Sequence, residues 1–227
     1  MPYSTAAINA AINAVGALLD VGSAGSPTAE FTNQDGSIVY LSQPLENDAF
    51  GAAVGGQITA NIPAGSITGL VDGSAGYIRF KNRDGVVVDA ETAAADAVTA
   101  LIAVGAGNPT VEITNSDASI VFGSINLDAT PFGAAVSGVA TANSLPKTWA
   151  ATATGTATHK RWKDGDGFVV GTEALASPAT IESGRAYTSN SITFSSPGIN
   201  SLLTNAISVT TGNSYTTNSI TQTQPAS

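Results

Sequence analysis

The segment Ser26-Pro-Thr-Ala-Glu-Phe-Thr-Asn-Gln-Asp-Gly-Ser-Ile-Val-Tyr40 decides the fold, because it returns 82 positions later as Asn108-Pro-Thr-Val-Glu-Ile-Thr-Asn-Ser-Asp-Ala-Ser-Ile-Val-Phe122. The same spacing relates Phe50-Gly-Ala-Ala-Val54 to Phe132-Gly-Ala-Ala-Val136, and Asp84-Gly-Val-Val-Val88 to Asp166-Gly-Phe-Val-Val170. One ungapped register therefore covers residues 26–88 and 108–170. A repeat of this length indicates two copies of one structural module in a single chain.

A helix is predicted before each copy. In residues 4–19 the apolar side chains recur at the spacing of one helical face, and residues 91–104 repeat that pattern. Ser4 and Thr5 are typical N-caps, and Gly22 and Gly105 are typical stop residues. Each module is therefore expected to begin with one short helix.

The remainder of each copy has the composition of strands and turns. Thr28–Thr32 and Ser37–Leu41 flank Asn33-Gln-Asp-Gly36, which is a hairpin signal. Strands are also predicted on both sides of Asn82-Arg-Asp-Gly85 and of its counterpart Lys163-Asp-Gly-Asp-Gly167, whereas residues 42–56 and 63–75 are predicted to be loops. The predicted fold is mainly β, with two tandem or nested β-sandwich modules that each carry one short N-terminal α-helix.

The end of the chain contains a second duplication. Ser183-Gly-Arg-Ala-Tyr-Thr-Ser-Asn-Ser-Ile-Thr193 returns 28 positions later as Thr211-Gly-Asn-Ser-Tyr-Thr-Thr-Asn-Ser-Ile-Thr221, and each unit has the pattern of a hairpin. Two modules and two such units suggest one unit per module. We therefore predict that the second module, residues 91–198, is inserted into a first module made of residues 1–90 and 200–227. The alternative is a simple tail, in which the last hairpin reaches a neighbouring subunit.

Composition and charge exclude several functional classes. The net charge of −9 disfavours binding to a phosphate backbone through a basic patch. Arg79, Lys81 and Arg83, and likewise Lys160, Arg161 and Lys163, are expected to be solvated strand and turn positions. No apolar stretch is long enough for a membrane span, and the N-terminal sequence lacks the pattern of a signal peptide. Neither nucleic acid nor a membrane is expected as a partner.

No constellation of catalytic residues emerges. The chain has no cysteine, and its one histidine, His159, lies in a Thr/Ala-rich strand without an accompanying nucleophile motif. Gly105-Ala-Gly107 follows a helix instead of preceding one, unlike a dinucleotide-binding loop. Tyr187 and Tyr215 are expected to pack across strands rather than to stack on sugars. We expect no enzymatic activity, no cofactor and no catalytic or metal site, although Asp164 and Asp166 leave a calcium-binding turn as an open alternative.

Several segments resemble small proteins of tailed-bacteriophage structural gene clusters. They are the start Tyr3-Ser-Thr-Ala-Ala-Ile-Asn-Ala-Ala-Ile-Asn-Ala-Val15, the Phe-Gly-Ala-Ala segments, the Gly155-Thr-Ala-Thr158 strand, the Asp-Gly turn, and the closing Ile-x-x-Gly-x-x-Tyr/Val-x-x-x-Ser-Ile-Thr pattern. Those relatives usually hold one such module, so this chain resembles a duplicated version. The resemblance covers nearly the whole chain and carries over no functional residues.

The resemblance implies a structural virion protein that is made in the cytoplasm of a bacterial host. The role it suggests first is a capsid decoration protein on the outer surface of a phage head. Its partners would then be the major capsid protein and other copies of itself, for example in a trimer. The alternative role is a tail or head-fibre module that binds a host receptor or carbohydrate through exposed tyrosine and tryptophan side chains.

Overall fold

The structure, a computed structural model, describes residues 3–195, 202–217 and 219–223. Its secondary structure is mainly β with several antiparallel sheets and two helices, which confirms the predicted class and the N-terminal helix. The packing of these sheets as sandwiches stays a prediction. The elements of the described residues are α1 (Thr5–Leu19), β1 (Thr28–Thr32), β2 (Val39–Pro44), β3 (Gln57–Thr59), β4 (Ile67–Thr68), β5 (Gly73–Lys81), α2 (Ala90–Ile102), β6 (Thr110–Thr114), β7 (Val121–Asn126), β8 (Val139–Thr141), β9 (Lys147–Ala150), β10 (Gly155–Lys163), β11 (Val169–Ile181), β12 (Ala186–Ser189), β13 (Thr193–Ser195), β14 (Leu202–Val209), β15 (Ser214–Tyr215) and β16 (Thr221–Thr223).

The helices begin and end where their sequences indicate. Ser4 caps α1, because its hydroxyl oxygen accepts the backbone N–H of Ala7 at 3.2 Å. Helix α1 buries one apolar face, and α2 buries the corresponding side chains Ala94, Val98 and Ile102. Gly22 and Gly105 follow the two helices with positive φ angles of 107° and 113°, which side chains other than glycine rarely adopt.

The two modules share one topology. In the first, an antiparallel sheet has the strand order β14-β5-β1-β2, accompanied by the short pairs β3–β16 and β4–β15. In the second, the sheet order is β11-β10-β6-β7, accompanied by the pairs β8–β13 and β9–β12. The last three strands of the chain therefore pair with strands of residues 57–81, which is the pairing that an inserted second module requires.

The insertion lies within an edge strand. In the second module, β11 follows β10 from the Lys163–Val169 pair to the Gly155–Ile181 pair. In the first module two separate segments occupy the corresponding edge of β5. The N–H of Val88 donates to the carbonyl of Phe80 at 3.0 Å, and β14 pairs with the other end of β5, from Tyr77 to Gly73. An edge strand has only one hydrogen-bonded neighbour, so interrupting it breaks few ladder bonds.

The chain divides into two compact units that follow this nesting. One unit holds residues 12–90 with 202–223, and the other holds residues 3–11 with 91–195. The predicted boundaries assigned residues 3–11 to the first module. The backbone of Tyr3 instead forms a bridge with Gly171, and the N–H of Ser4 donates to the carbonyl of Val170 at 2.9 Å.

Four local predictions are corrected. No strand follows Asn82-Arg-Asp-Gly85 in the described residues, where Val87 forms only an isolated bridge with Lys81. The predicted loop 42–56 begins later, because β2 extends to Pro44. Residues 63–75 are not one loop, because they contain β4 and the start of β5. The two terminal units are not hairpins either. Strand β11 lies in the four-stranded sheet while β12 pairs with β9, and in the same way β14 pairs with β5 while β15 pairs with β4. Each Gly-centred turn therefore carries the chain from one sheet to another.

An aromatic cluster forms the centre of each module. Phe50 and Phe80 meet edge to face in the first module, with ring centroids 5.5 Å apart. Their counterparts Phe132 and Trp162 lie 5.4 Å apart in the second module, where Phe194 adds a third ring. Such contacts are favourable beyond the apolar area that they bury.

Candidate functional site

Each module exposes a group of apolar side chains where the loop after its helix meets the turn before its edge strand. We define tip one as Val21, Val86 and Val87, and tip two as Val104, Phe168 and Val169. All six side chains are exposed; Val86 retains 60% of its accessible surface and Phe168 retains 71%. Single exposed apolar residues are ordinary, but a group of three at the same place in both modules indicates an interaction surface.

The turn of each tip is closed by one polar side chain. In tip one the side-chain oxygen of Asn82 accepts the N–H groups of Asp84 and Val86, at 3.1 and 2.9 Å. In tip two Asp164 accepts the N–H groups of Asp166 and Phe168, at 3.1 and 2.8 Å. Asx side chains favour such turns because they satisfy backbone donors locally. The exposed residue at position 86 or 168 is therefore fixed at its backbone.

A second carboxylate ties each turn to the loop after the helix. Asp84 accepts the N–H groups of Ser23 and Ala24 at 3.0 and 3.2 Å, and Asp166 accepts that of Ala106 at 2.9 Å. These backbone hydrogen bonds hold the pKa of Asp84 below its usual range. Backbone bonds from Arg83 to Val21 and from Gly165 to Val104 complete the connection. Each tip is thus one braced surface built from two segments of chain.

Comparison of the two copies shows at which exposed positions both have an apolar side chain. Position 86 is valine in the first copy and phenylalanine in the second, and the surrounding turn changes from Asn-Arg-Asp-Gly to Asp-Gly-Asp-Gly. The sequence of the turn has therefore drifted while the exposed side chains stayed apolar. Two other exposed pairs behave in the same way, namely Val54 with Val136 and Ile38 with Ile120.

The Asp164-Gly-Asp-Gly167 sequence has a structural role in this geometry. Asp164 closes the turn as Asn82 does, and Asp166 binds the neighbouring loop as Asp84 does. Within residues 3–195, 202–217 and 219–223, no group of three or more His, Asp or Glu side chains is placed to hold a metal ion. The prediction that these aspartates form a turn accounts for both of them.

The glycines of Gly105-Ala-Gly107 allow a close backbone approach. The N–H of Gly107 donates to the carbonyl of Gly165 at 3.0 Å, and a Cβ at position 107 would lie only 2.6 Å from that carbonyl oxygen. A side chain at position 105 would likewise meet the backbone N of Asp166 at 2.5 Å. This segment therefore braces tip two.

The clustered cations neutralise one glutamate in each module. Arg79 and Lys81 bind Glu30 at 2.7 and 2.8 Å, and Arg161 and Lys163 bind the corresponding Glu112. Burial alone would raise the pKa of Glu30, but the hydrogen bonds and charges of Lys81 and Arg79 outweigh it and hold that pKa below its usual value. These cations are half-buried partners of a carboxylate, not the solvated positions that the sequence predicted.

The two matched tyrosines support the turns between sheets. The hydroxyl oxygen of Tyr187 accepts the N–H of Glu182 at 2.8 Å, and that of Tyr215 accepts the N–H of Thr210 at 2.7 Å. In both cases the donor lies five residues upstream, which resembles the tyrosine corner of β-sandwich proteins. Tyr187 also stacks on Trp149, with centroids 5.0 Å apart. The prediction of cross-strand packing holds for Tyr187, and the bond to the turn is an addition that the sequence did not reveal.

These bonds lead to a stability prediction. We expect Tyr187→Phe and Tyr215→Phe each to lower the free energy of unfolding by about 1 kcal/mol, because each removes the acceptor of one backbone donor. Urea unfolding followed by circular dichroism measures the change. Tyr77→Phe, which changes a tyrosine of β5 outside both corners, is the matched control. A loss at Tyr77 as large as at the two corners would contradict this role.

Among the described residues, one polar cluster of the second module has no counterpart in the first. Lys160 pairs with Glu173 at 2.9 Å, lies 5.0 Å from the ring centroid of Trp162 and donates to the carbonyl of Thr193. The hydroxyl of Tyr3 donates to Glu173 at 2.9 Å. Burial and the charge of Glu173 raise the pKa of Tyr3. The counterpart of Lys160 in the first module is Ile78, so repeat comparison alone does not predict this cluster.

The remaining candidates are His159 and the surroundings of Asp96, and both have local hydrogen-bond partners. His159 is half-buried, and its Nδ1 lies 2.9 Å from the hydroxyl of the adjacent Thr158. A shallow groove runs between α2 and residues 130–134, beside Asp96, Thr99 and Phe132. The carboxylate of Asp96 is used there to accept the N–H of Ala135 at 2.7 Å.

In comparisons with known proteins, no family model, no curated protein and no solved structure matches the chain. Among the residues that the structure describes, neither helix combines the length and the apolar content needed to cross a bilayer.

The carboxylates predict how stability depends on pH. Glu30, Asp84 and Glu112 have folded-state pKa values below their ordinary values of 4.5, 3.8 and 4.5. A depressed pKa stabilises the folded state above the unfolded-state value and loses that contribution as the pH falls through the folded value. We expect the urea midpoint to be steady above about pH 5 and to decrease from about pH 4 downward.

Asp84→Asn is the informative variant for this prediction. An amide oxygen can still accept the N–H groups of Ser23 and Ala24 but does not titrate in this range. The variant should therefore show a smaller decrease between about pH 5 and 3 than the parent protein. A urea midpoint of the parent that does not change over this range would contradict the prediction.

Proposed function

We propose that this chain is a structural virion protein of a tailed bacteriophage, and most specifically a decoration protein on the outer surface of the head. The observation that carries the proposal is the pair of apolar tips, since both modules present exposed apolar side chains on braced turns. The resemblance to small phage structural proteins supplies the biological setting. The major capsid protein and further copies of the chain, for example in a trimer, are the proposed partners.

The use of the polar residues supports a structural role. Asp84, Asp96 and Asp166 each accept a backbone N–H, and Glu30 and Glu112 each bind two cations. A catalytic carboxylate instead requires a proton or an electrophile within hydrogen-bonding reach. These five carboxylates act as braces of loops and strands, which suits a protein that functions through its surface.

The geometry gives less support to carbohydrate recognition. A sugar platform needs an exposed aromatic face, but Trp149 is buried and stacked on Tyr187, and the hydroxyl groups of Tyr187 and Tyr215 bind backbone N–H groups. Phe168 is exposed, but it has no polar group with which to orient a sugar. The fibre alternative therefore lacks a formed site among these residues.

Electron microscopy of the intact phage particle tests the proposal. With an antibody or a small fusion tag on the protein, we expect label or additional density over the whole capsid lattice. Particles from which the gene has been deleted are the control and should lack that density. Density confined to the tail or to fibres, or a protein absent from the particle, would overturn the proposal.

A further inference from the structure

We infer that tip one and tip two are equivalent docking elements, each of which seats in an apolar pocket rimmed by lysine or arginine on a partner present in many copies. This inference rests on the proposed function and specifies how the protein would bind the head. One chain would then hold two partner subunits.

Exposure and position make the tips suitable anchors. Val86 and Phe168 are 60% and 71% exposed, and both follow directly after a turn. A side chain at such a position can enter a pocket without any rearrangement of its own sheet. Binding energy at protein interfaces is concentrated in a few such buried anchors, and aromatic residues such as tyrosine and tryptophan are enriched among them.

The bracing reduces the entropy that binding would cost. Asn82 or Asp164 closes each turn, and Asp84 or Asp166 joins it to the loop after the helix. A loop already held in its bound conformation loses little freedom on association, so more of the contact energy appears as affinity.

The charge of the chain indicates that the rim of the partner's pocket is basic. The net charge is −9, and seven of the eight cationic side chains form ion pairs within the chain. Exposed carboxylates adjoin both tips, with Asp84 and Asp89 beside tip one and Asp166 beside tip two. The remaining cation, Arg83, lies in the turn of tip one and donates from its Nε to the carbonyl of Gly25 at 3.0 Å, so the carboxylates still outnumber the cations there. Complementary charge at an interface steers association and excludes partners of the same sign. An apolar pocket with a basic rim is therefore the complementary surface.

Repetition of the tips implies repetition of the partner site. The two tips share their turn hydrogen bonds, their carboxylate tie and the apolar character of all three exposed positions. Two elements of the same design in one chain fit two copies of one surface. When both are engaged, linkage within a single chain can increase affinity by about 10²-fold or more over one contact.

Phage heads assembled without this protein provide the binding assay. Labelled protein is added over a range of concentrations and the bound fraction is measured after sedimentation of the heads. We expect Val86→Ser and Phe168→Ser each to weaken binding by at least about tenfold, and the double variant by about 100-fold or more. Binding of the parent protein should also weaken when the salt concentration is raised from about 0.05 to 0.5 M, because rim charges are screened.

The matched control is the double variant Val54→Ser and Val136→Ser, which changes a repeated pair of exposed valines outside the tips. It should bind like the parent, and all variants should keep the parent's urea midpoint. If the parent binds heads and the tip double variant binds within about twofold of it, the inference is wrong while the proposed function stands. The inference is also overturned if only one of the two single tip variants weakens binding, or if binding of the parent does not weaken at the higher salt concentration. If the parent does not bind heads, the proposed function itself fails.

Discussion

Trp162→Ala is expected to lower the free energy of unfolding of the second module by about 3–5 kcal/mol, the usual range for removing a large buried aromatic side chain. Trp162 is fully buried, and its ring packs against Phe132 and Phe194 at centroid distances of 5.4 and 5.8 Å. Alanine would leave a cavity between these rings that the sheet cannot close. Urea unfolding of the whole chain measures the loss, and it is monitored by far-UV circular dichroism because the variant lacks the tryptophan whose fluorescence would otherwise report unfolding.

Trp162→Phe is the matched variant, because the first module carries Phe80 at the corresponding position. The indole N–H of Trp162 has no hydrogen-bond partner among the described residues, so phenylalanine also removes an unsatisfied buried donor. We expect a loss below about 1.5 kcal/mol. A loss as large as that of alanine would show that the second core depends on the indole itself.

Gly123→Leu is expected to destabilise the second module by about 3 kcal/mol through overpacking. Gly123 lies on β7, and a Cβ built there would lie 2.3 and 2.4 Å from Cε3 and Cζ3 of Trp149, which is closer than real Cβ contacts. Trp149 itself is held by a hydrogen bond from its Nε1 to Ser189 and by its stack on Tyr187. A movement of the tryptophan away from β7 would therefore disturb both contacts.

The first module supplies the compensating change, since its counterparts of Gly123 and Trp149 are Leu41 and Ile67. A double variant with Gly123→Leu and Trp149→Ile should recover most of the stability that Gly123→Leu loses. The remaining deficit should be about 1 kcal/mol, for the lost stack on Tyr187. Equilibrium unfolding of both single variants and the double variant gives the coupling energy. If the losses of the two single variants simply add in the double variant, Gly123→Leu and Trp149→Ile do not compensate for each other.

Repetition made the main features of the fold predictable. The shared register between residues 26–88 and 108–170 placed the turns after β1 and β5, and the 3.6-residue pattern placed α1 and α2. Comparison of the two copies also shows positions that change together. The helices and the loops after them match with an offset of 83 instead of 82, so Asp20 corresponds to Ala103, whereas Ala49 corresponds to Pro131. Asp20 accepts the N–H of Ala49 at 2.8 Å. Proline has no N–H, so the second copy needs no aspartate at that position.

Other elements could not be predicted from the sequence, and each has a physical reason. Strand β4 has two residues and lies where the copies diverge, so neither alternation nor the repeat marked it. The turns at Gly184 and Gly212 have the residues of a hairpin, but long-range pairing with β9 and β4 sends the chain into another sheet. A turn that closes a hairpin and a turn that leads into another sheet use the same local residues, so the sequence does not distinguish them. The docking of Tyr3 depends on a single bridge and one side chain, which leave no periodic pattern.

The apolar tips were only partly visible in the sequence. Asp84-Gly-Val-Val-Val88 predicts a turn followed by a strand, but three consecutive valines do not alternate and so give no indication of which ones face solvent. The structure shows that Val86 and Val87 are exposed and that Val88 is not fully exposed. The braces at Asp84 and Asp166 were likewise recognised only as turn residues, because their loop partners lie about 60 positions earlier in the chain.

The interrupted edge strand determines the order in which the two modules can be finished on the ribosome. Residues 91–195 are available to fold together before β14 has been synthesised, but β5 waits for residues 202–209 to complete its sheet. Folding of domains during synthesis follows the order in which their strands emerge. A nascent chain halted before residue 202 would thus expose the unpaired edge of β5, which would mark it for chaperones and proteases. The insertion couples completion of the first module to translation of the terminal strands.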